Sequence, residues 1–325
     1  MIERHIKPEV AAIFIDVARG RRGIYSDDAA FEELLAEAKA AFEAADPETV
    51  EIIRQFARAE VPDGGVLFHG LTVDQDDMGE SPRDPVAFEG KDRDPVTEAA
   101  LLAFASVAGE VFSFARQHRG ALIQNVTPIP GHEYDAVGTG SRSLLDWHSE
   151  DAFDDAPQFV GLFCVRGDER VQTALAPVDR IDLSAEDEAV LRQPRFMHGI
   201  DKASGGTGRP EDGVQGAALY GEDGKRFVRI DMACAAAVTG DDEAAAALQA
   251  FHDGADKEGI YVTLGAGDIL LFDNRRVMHA RTPFEPRYDG TDRWLQRVII
   301  TDDLGRSADR RINHPRVVEN ELVGA

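Results

Sequence analysis

A histidine and a glutamate lie two positions apart in the segment LLDWHSEDAF. In a β-strand, side chains at positions i and i+2 project from the same face, so His148 and Glu150 are predicted to point the same way, while Ser149 and Asp151 face away. An imidazole and a carboxylate placed in this manner are suited to binding a metal ion. The pair alone is a weak signal, because an acidic surface turn has the same spacing.

A third metal ligand would have to come from a distant strand. The segment GDILLFDNRRVMHART places His279 after an apolar strand and an Asp-Asn turn. Two imidazoles and one carboxylate on one side of a metal, with the remaining positions open, suit a non-haem iron(II) oxygenase. Taken alone, His279 would equally be an ordinary core histidine.

Two arginines share one face of a predicted strand further along the chain. In DRWLQRVIIT, the side chains of Arg293, Leu295, Arg297 and Ile299 project together by the two-residue period. Buried guanidinium groups are costly unless each meets a carboxylate. A dicarboxylic 2-oxo acid on the metal and an amino-acid substrate would each supply one, although a solvated strand face would accommodate the same pattern.

The scaffold that must position these residues is predicted to be mainly β with helical additions. In residues 120–316, short apolar runs alternate with Gly, Asp and Pro turns, which is typical of an all-β sandwich or barrel. Residues 1–119 are predicted to be mostly helical, and a helical insert occupies residues 240–257. We therefore predict a single domain, residues 1–325, with a double-stranded β-helix (jelly-roll) core and an N-terminal helical layer.

Two helical predictions are more specific. Residues 26–61 form helices interrupted at Asp46-Pro47, and the segment TEAALLAFASVAGEVFSFARQ is predicted to be one long amphipathic helix. The polar loop 75–95 and the helix 240–257 are candidates for a lid over the site.

Composition restricts the partners and the location. The chain has 35 Lys and Arg against 60 Asp and Glu, a net charge of −25, so neither nucleic acid nor an anionic membrane is an expected partner. Cys164 and Cys234 lie in apolar runs and are predicted to be buried thiols. The N-terminus shows no secretory signal and no apolar run approaches a membrane span, so the expected location is cytoplasmic. The oligomeric state is left open.

Several segments closely resemble the clavaminate synthase-like group of Fe(II)/2-oxoglutarate-dependent dioxygenases: GSRSLLDWHSEDAF, FVGLFCVRGDERVQTALAPVDRIDL, PRFMHG, RFVRIDM and GDILLFDNRRVMHARTPFEPRYDGTDRWLQRVII. The resemblance extends over residues 100–316. It implies Fe(II), 2-oxoglutarate and O2 as cofactor and cosubstrates. It also implies hydroxylation at Cβ or Cγ of a free L-amino acid, polar or basic, as found in arginine, asparagine and lysine hydroxylases.

The resemblance assigns the metal and cosubstrate residues. His148, Glu150 and His279 match the iron ligands of the group. Arg293 matches the arginine that holds the distal carboxylate of 2-oxoglutarate, and Thr173 resembles a threonine near that cosubstrate. Glu150 favours hydroxylation over halogenation, because the related halogenases carry a small residue at that position.

The resemblance also assigns the substrate contacts. Arg297 matches the arginine that binds the substrate α-carboxylate, and Glu150 reaches the substrate amine in this group. Gln117 resembles a glutamine near the same amine, or it is an exposed helix end. Arginine-hydroxylating relatives hold the substrate guanidinium with two aspartates that are two residues apart. Here Asp231 matches the first, but Ala233 occupies the second position, which favours a substrate with a shorter or singly charged side chain. Alternatively, Asp231 pairs with a neighbouring arginine at a strand end.

Other readings of the sequence stay open. The same chemistry would serve a carrier-tethered amino acid or another small carboxylate, and desaturation or cyclisation would use the same centre. A metal-binding jelly-roll protein without redox activity would also fit the ligand pattern.

Overall fold

The structure is a computed structural model that describes residues 1–150, 156–221 and 225–319. Its α-helices are α1 (Pro8–Ala18), α2 (Asp28–Ala45), α3 (Pro47–Ala57), α4 (Gln75–Met78), α5 (Val96–Ala108), α6 (Ala185–Leu191) and α7 (Asp242–Glu258). Its strands are β1 (Ile2–His5), β2 (Gly65–His69), β3 (Glu110–Phe114), β4 (Gln124–Val126), β5 (Leu145–His148), β6 (Phe159–Arg166), β7 (Thr173–Pro177), β8 (Phe196–His198), β9 (Val214–Gly216), β10 (Leu219–Tyr220), β11 (Phe227–Val228), β12 (Ala235–Ala237), β13 (Ile260–Val262), β14 (Ile269–Asp273), β15 (Val277–Arg281), β16 (Trp294–Thr301) and β17 (Val317–Val318).

Two sheets carry most of the strands. The larger has the order β1-β2-β14-β6-β16-β3-β17, with β4 also paired to β16, and the smaller has the order β13-β7-β15-β5. Two further small sheets, β12-β8-β9 and β10-β11, lie outside them. The chain is therefore a sheet-rich α/β mixture, as the sequence pattern predicted in outline.

Alternating side chains of the larger sheet separate two hydrophobic cores. In β14, Ile269 and Leu271 pack with the N-terminal helices, whereas Leu270 and Phe272 belong to the core that also contains Leu175 of the smaller sheet. A third core covers the other side of the smaller sheet with side chains from α6 and α7. The larger sheet is thus enclosed between helices and the smaller sheet, which leaves an interior between the two sheets.

Helices α2 and α3 of the helical layer each have a side-chain cap at the N-terminus. Asp27 accepts hydrogen bonds from the main-chain N–H groups of Ala29 and Ala30, and Asp46 accepts from the N–H of Thr49 at 3.1 Å. Pro47 takes the first position of α3, where its missing N–H costs nothing. The predicted break at Asp46-Pro47 is confirmed.

The long helix predicted over residues 97–117 is wrong in its second half. Helix α5 ends at Ala108, and β3 follows and pairs with β16. At the junction, a Cβ on Gly109 would lie 2.4 Å from the carbonyl oxygen of Thr301, so only glycine allows this approach. Helix α5 is also buried on nearly every side rather than amphipathic, because it packs between the other helices and the larger sheet. Residues 1–119 therefore also supply three strands.

The two cysteines and the predicted helix near residue 250 are found as the sequence indicated. Cys164 and Cys234 are both buried free thiols, as predicted. The helix predicted over residues 240–257 is present as α7. Within the described residues, no helix has both the length and the apolar character that crossing a bilayer requires.

A buried polar network joins the helical layer to β16. Glu98 is fully buried, and its carboxylate accepts hydrogen bonds from Arg93, from the hydroxyl of Tyr25 at 2.8 Å and from the side-chain amide of Gln296 at 2.7 Å. Burial alone would raise the pKa of Glu98, but the charge and hydrogen bonds of Arg93 outweigh it and lower the pKa. The carboxylate is therefore ionised and fixes β16 to the helices.

We expect Glu98→Ala to lower the free energy of unfolding by about 3–5 kcal/mol, because it leaves the buried Arg93 without its partner. Glu37→Ala, which removes an exposed pair with Arg21, serves as the control and should cost less than about 1 kcal/mol. Denaturant unfolding at neutral pH measures both. The stabilisation by Glu98 should begin to decline below the ordinary glutamate pKa of 4.5 and be lost as the pH falls through the folded value. Equal losses in the two variants would contradict the assignment.

Candidate active site

A cavity of about 110 Å³ lies in the interior between the two sheets. It is lined by leucines of the larger sheet, Leu162 and Leu295, and by a set of polar and charged side chains. These polar side chains are Gln117, His148, Ser149, Glu150, Thr173, Asp201, Asp231, His279, Arg281, Arg293 and Arg297. The structure thus brings every residue singled out by sequence into one cavity.

His148 and His279 face each other across two antiparallel strands. Strand β5 pairs with β15 so that the two histidines are directly opposite, and their ring centroids are 3.9 Å apart. The Nδ1 of His148 donates to the main-chain oxygen of Asp146 at 2.8 Å, which leaves Nε2 as the nitrogen with a free lone pair. Residues separated by 131 positions in sequence therefore meet through strand register.

Glu150 lies just beyond the end of β5, not within it. The predicted strand through residue 150 is wrong, since β5 ends at His148, and Asp151 lies outside the described residues. The carboxylate nevertheless points where the pattern predicted: its Oε1 is 3.5 Å from Nε2 of His279 and accepts a hydrogen bond from Arg297. The main chain of Glu150 is held by Asn274 rather than by a strand partner.

The three side chains fit a divalent metal ion. One potential ligand atom from each of His148, Glu150 and His279 lies within 4.8 Å of the others. Burial would raise the pKa of Glu150, but the Arg297 charge and His279 outweigh it and lower the pKa. Burial, helped by the neighbouring His148, lowers the pKa of His279 to about 4. A deprotonated carboxylate and a neutral imidazole are the forms that bind metals.

Arg293 and Arg281 form a buried cationic pocket next to the metal ligands. Arg293 is 7% exposed, and its Nη2 donates to the hydroxyl of Thr173 at 3.2 Å. Arg281, opposite Thr173 in the register of β15 and β7, donates to the main-chain oxygen of Ser141 at 2.9 Å. Burial and the charge of Arg293 lower the pKa of Arg281 to about 9. Within the described residues neither arginine has an ion pair, so the pocket is suited to an anionic ligand.

Arg297 is oriented by two side chains. Its Nε donates to the side-chain oxygen of Gln124 at 2.9 Å, and its Nη1 donates to Glu150 at 2.5 Å. Arg293, Leu295 and Arg297 all line the cavity, as the two-residue alternation predicted. Gln117 also lines it, is 4% exposed, and donates to the hydroxyl of Ser204 at 2.9 Å, so it is not an exposed helix end.

Asp231 and Asp201 also line the cavity. Asp231 forms a β-bridge with His148, and its carboxylate accepts from the N–H of Ala233 at 3.0 Å. Asp201 accepts two hydrogen bonds from Ser204. Burial raises the pKa of Asp231, and the negative charge of Asp201 adds to this effect. The neighbouring His148 and a hydrogen bond with Cys234 oppose it but do not outweigh it. Neither aspartate forms an ion pair in the described part of the chain, so both are available to a ligand.

One alternative from the sequence is wrong: within the described residues Asp231 does not pair with a neighbouring arginine, because Arg226 binds Glu188 and Arg229 stacks on Tyr220. Neither loop 75–95 nor helix α7 lines the cavity, and their role as a lid stays a prediction. Helix α7 instead supports β5, where the indole N–H of Trp147 donates to Asp256 at 2.7 Å.

Sequence reasoning missed several residues of the site, among them Arg281, Asp201, Asn274 and Gln124. Arg281 had a usable signal, since it follows His279 by two positions and shares its strand face. Asp201 and Asn274 had none, because each lies in a loop or turn whose neighbours are distant in sequence. Residues 136–138, 199–201 and 203, which line the cavity, likewise lie in irregular segments.

Comparison with known proteins identifies the family. The profile of the family described as taurine catabolism dioxygenase TauD, TfdA family matches residues 213–299. An L-asparagine oxygenase of Streptomyces coelicolor is 35% identical, with 79% of this chain and 76% of the relative covered. Clavaminate synthase 2 of Streptomyces clavuligerus is 34% identical, with 74% and 75% covered.

A solved structure shows the same fold. The non-heme iron oxygenase OrfP, in complex with Fe, succinate and (3S)-hydroxy-L-Arg, superposes with a TM-score of 0.86 at 28% identity. The match covers 98% of this chain and all of that one (100%). The resemblance predicted from the sequence motifs is confirmed, and the chain belongs to the TauD/TfdA dioxygenase family, within its clavaminate synthase-like group.

Proposed function

We propose that the protein is an Fe(II)- and 2-oxoglutarate-dependent dioxygenase that hydroxylates Cβ or Cγ of a free L-amino acid with a polar or basic side chain. The products are the hydroxy amino acid, succinate and CO2. One observation carries the proposal: His148, Glu150 and His279 converge beside Arg293 and Arg281, which are buried without an ion pair in the described chain. The asparagine and arginine chemistry named for the relatives supports it.

His148, Glu150 and His279 would hold the iron. When bound, iron with 2-oxoglutarate and O2 supplies the oxidising power needed to break an unactivated C–H bond. The charge of Arg297 lowers the pKa of Glu150 against the effect of burial, and burial lowers the pKa of His279, so these two side chains are a carboxylate and a neutral imidazole at neutral pH. Apolar side chains of Leu162 and Leu295 line the same cavity and limit the water that reaches the reacting carbon.

Arg293 and Thr173 would hold the distal carboxylate of 2-oxoglutarate. The hydroxyl of Thr173 already accepts from Arg293, so the guanidinium is oriented before the ligand arrives. Arg281 adds a second positive charge to this end of the cavity, with its guanidinium held by main-chain oxygens of Ser141 and Ser143. A dicarboxylate is therefore favoured over a singly charged acid.

Arg297 would bind the substrate α-carboxylate, with Glu150 and Gln117 close to the amine. Three arginines and three carboxylates line the cavity, so a zwitterion matches its charge better than a simple anion such as a sulfonate. Asp231 and Asp201 would receive the end of the substrate side chain. Because neither has an ion pair in the described residues, an amine or an amide donor fits them.

We further propose that residues 1–119 and the jelly-roll core that follows, residues 120–316, fold as one domain, residues 1–325, whose two facing sheets form a double-stranded β-helix. The continuous cores on both faces of the larger sheet support this, as do the strands that residues 1–119 add to it. The partner of the protein is a small amino acid, and its expected location is cytoplasmic.

The first test is turnover. The protein with iron(II), ascorbate, 2-oxoglutarate and a panel of free L-amino acids should consume oxygen, form succinate and add 16 mass units to one amino acid. His148→Ala should lower this rate about 100-fold or more, because a metal ligand is lost. His5→Ala, an exposed histidine outside the cavity, should leave the rate unchanged. Silence across the panel, or full activity of His148→Ala, would rule out the proposed function.

Substitutions of Arg293 and Arg297 should change different Michaelis constants. Arg293→Lys should raise KM for 2-oxoglutarate at least tenfold, because lysine keeps the charge but loses the two-pronged contact with a carboxylate. Arg297→Lys should instead raise KM for the amino acid and leave KM for 2-oxoglutarate nearly unchanged. Steady-state kinetics with each ligand varied in turn measures both. The assignment fails if the two variants change the same constant.

The carboxylates of Asp231 and Asp201 should determine which substrate side chains the enzyme prefers. Asp231→Asn and Asp201→Asn should each lower kcat/KM for amino acids with a cationic side chain by about 10–100-fold relative to asparagine, since a charge-assisted hydrogen bond becomes a neutral one. Asp16→Asn, an exposed residue of α1, is the control. Ornithine, lysine, arginine, asparagine and glutamine form the panel. An equal effect on all five would contradict a role in side-chain recognition.

A further inference from the structure

Asn274 uses all of its side-chain hydrogen-bonding groups on the segment that carries Glu150. Its side-chain oxygen accepts from the main-chain N–H of Glu150 at 2.7 Å. Its amide nitrogen donates to the main-chain oxygen of Glu150 at 3.0 Å and to that of Pro157 at 2.9 Å. Asn274 is 1% exposed, so water does not compete for these bonds.

These contacts replace a missing strand partner. Strand β5 ends at His148, and the ladder between β5 and β15 ends with the pair His148 and His279. One residue later, Ser149 donates to the main-chain oxygen of Ile230. Glu150 then meets the amide of Asn274, which both donates and accepts, as the main chain of a neighbouring strand would.

The position of Asn274 couples two of the three proposed metal ligands. It lies in the turn between β14 and β15, five residues before His279. The main-chain N–H of Asn274 donates to the oxygen of Gln158 at 2.9 Å, so the turn is fixed to the start of β6 as well. The same rigid turn therefore determines where His279 lies and where the main chain of Glu150 lies.

We infer that Asn274 is a positioning residue for the metal centre: its amide fixes the main chain of Glu150 so that the carboxylate points at the two histidines. This inference rests on the proposed function. It requires an amide, because a carboxylate at position 274 would accept from Glu150 but would face the oxygens of Glu150 and Pro157 without a hydrogen to donate. An alanine would remove the hydrogen bonds that Asn274 makes to all three main-chain groups.

The test compares Asn274 with a second buried asparagine. Asn125 is also 1% exposed and accepts from the indole of Trp294 at 2.8 Å, but it does not line the cavity. The variants Asn274→Ala, Asn274→Asp and Asn125→Ala are purified, and their folding is checked by thermal unfolding. Binding of Co²⁺ and Mn²⁺ is then measured by calorimetry, and the visible spectrum of the Co²⁺ complex is recorded, without substrate or turnover.

We expect both Asn274 variants to raise the Kd for Co²⁺ and Mn²⁺ about 10–100-fold and to change the Co²⁺ spectrum, because groups that orient a metal ligand contribute on this scale. Asn125→Ala should lower the unfolding temperature but leave the Kd within about twofold of the original. Thermal destabilisation alone therefore does not produce the expected result.

The outcomes separate the two proposals. If the unmodified protein binds metal but hydroxylates no amino acid, the proposed function fails and the role of Asn274 is still decided by the Kd values. If either folded Asn274 variant binds metal with unchanged Kd and spectrum, the positioning role is overturned. If Asn274→Ala does not fold, the isosteric Asn274→Asp decides. A protein that binds no divalent ion would overturn both proposals.

Discussion

The antiparallel register between β5 and β15 is the constraint on which the site depends. It places His148 directly opposite His279 with ring centroids 3.9 Å apart, and Glu150 follows two residues later. Register is strict wherever one face of a strand is buried, because a slip of one residue would turn every side chain to the other face. Helix α7 supports β5 from outside the sheet through Trp147, so the same strand is fixed on both sides.

Strand β16 lines the cavity with one face and packs against the helical layer with the other. Arg293 and Arg297 point into the cavity, while Trp294 and Gln296 point toward the helical layer and bind Asn125 and Glu98. Inward arginines are costly to bury before a ligand arrives. The buried network behind them holds the strand in place. The guanidinium of Arg293 is oriented by the hydroxyl of Thr173, whereas that of Arg297 is held by Gln124 and by the carboxylate of Glu150.

Three arginines and three carboxylates line the cavity, and they lie close to different neighbours. Arg281 and Arg293 lie beside Thr173, and Glu150 and Arg297 lie near the histidines. Asp201 and Asp231 line the same cavity, with Asp231 joined to His148 through a β-bridge. The dicarboxylate and the zwitterionic amino acid of the proposed function match these charges, and the non-heme iron oxygenase OrfP, solved in complex with (3S)-hydroxy-L-Arg, has the same fold. Asp201 reaches the cavity from a different loop than Asp231, so two aspartate side chains line it.

The sequence by itself determined the chemical groups and their local directions: two imidazoles, one carboxylate, and the arginines of β16 on a common face. These follow from residue type and from the two-residue period of a strand, which are local properties. Only the tertiary structure decided the end of α5 at Ala108 and the roles of Arg281, Asp201 and Asn274. Each of these depends on a contact between segments far apart in sequence, and no local pattern specifies which distant backbone or charge a side chain will meet once the chain is packed.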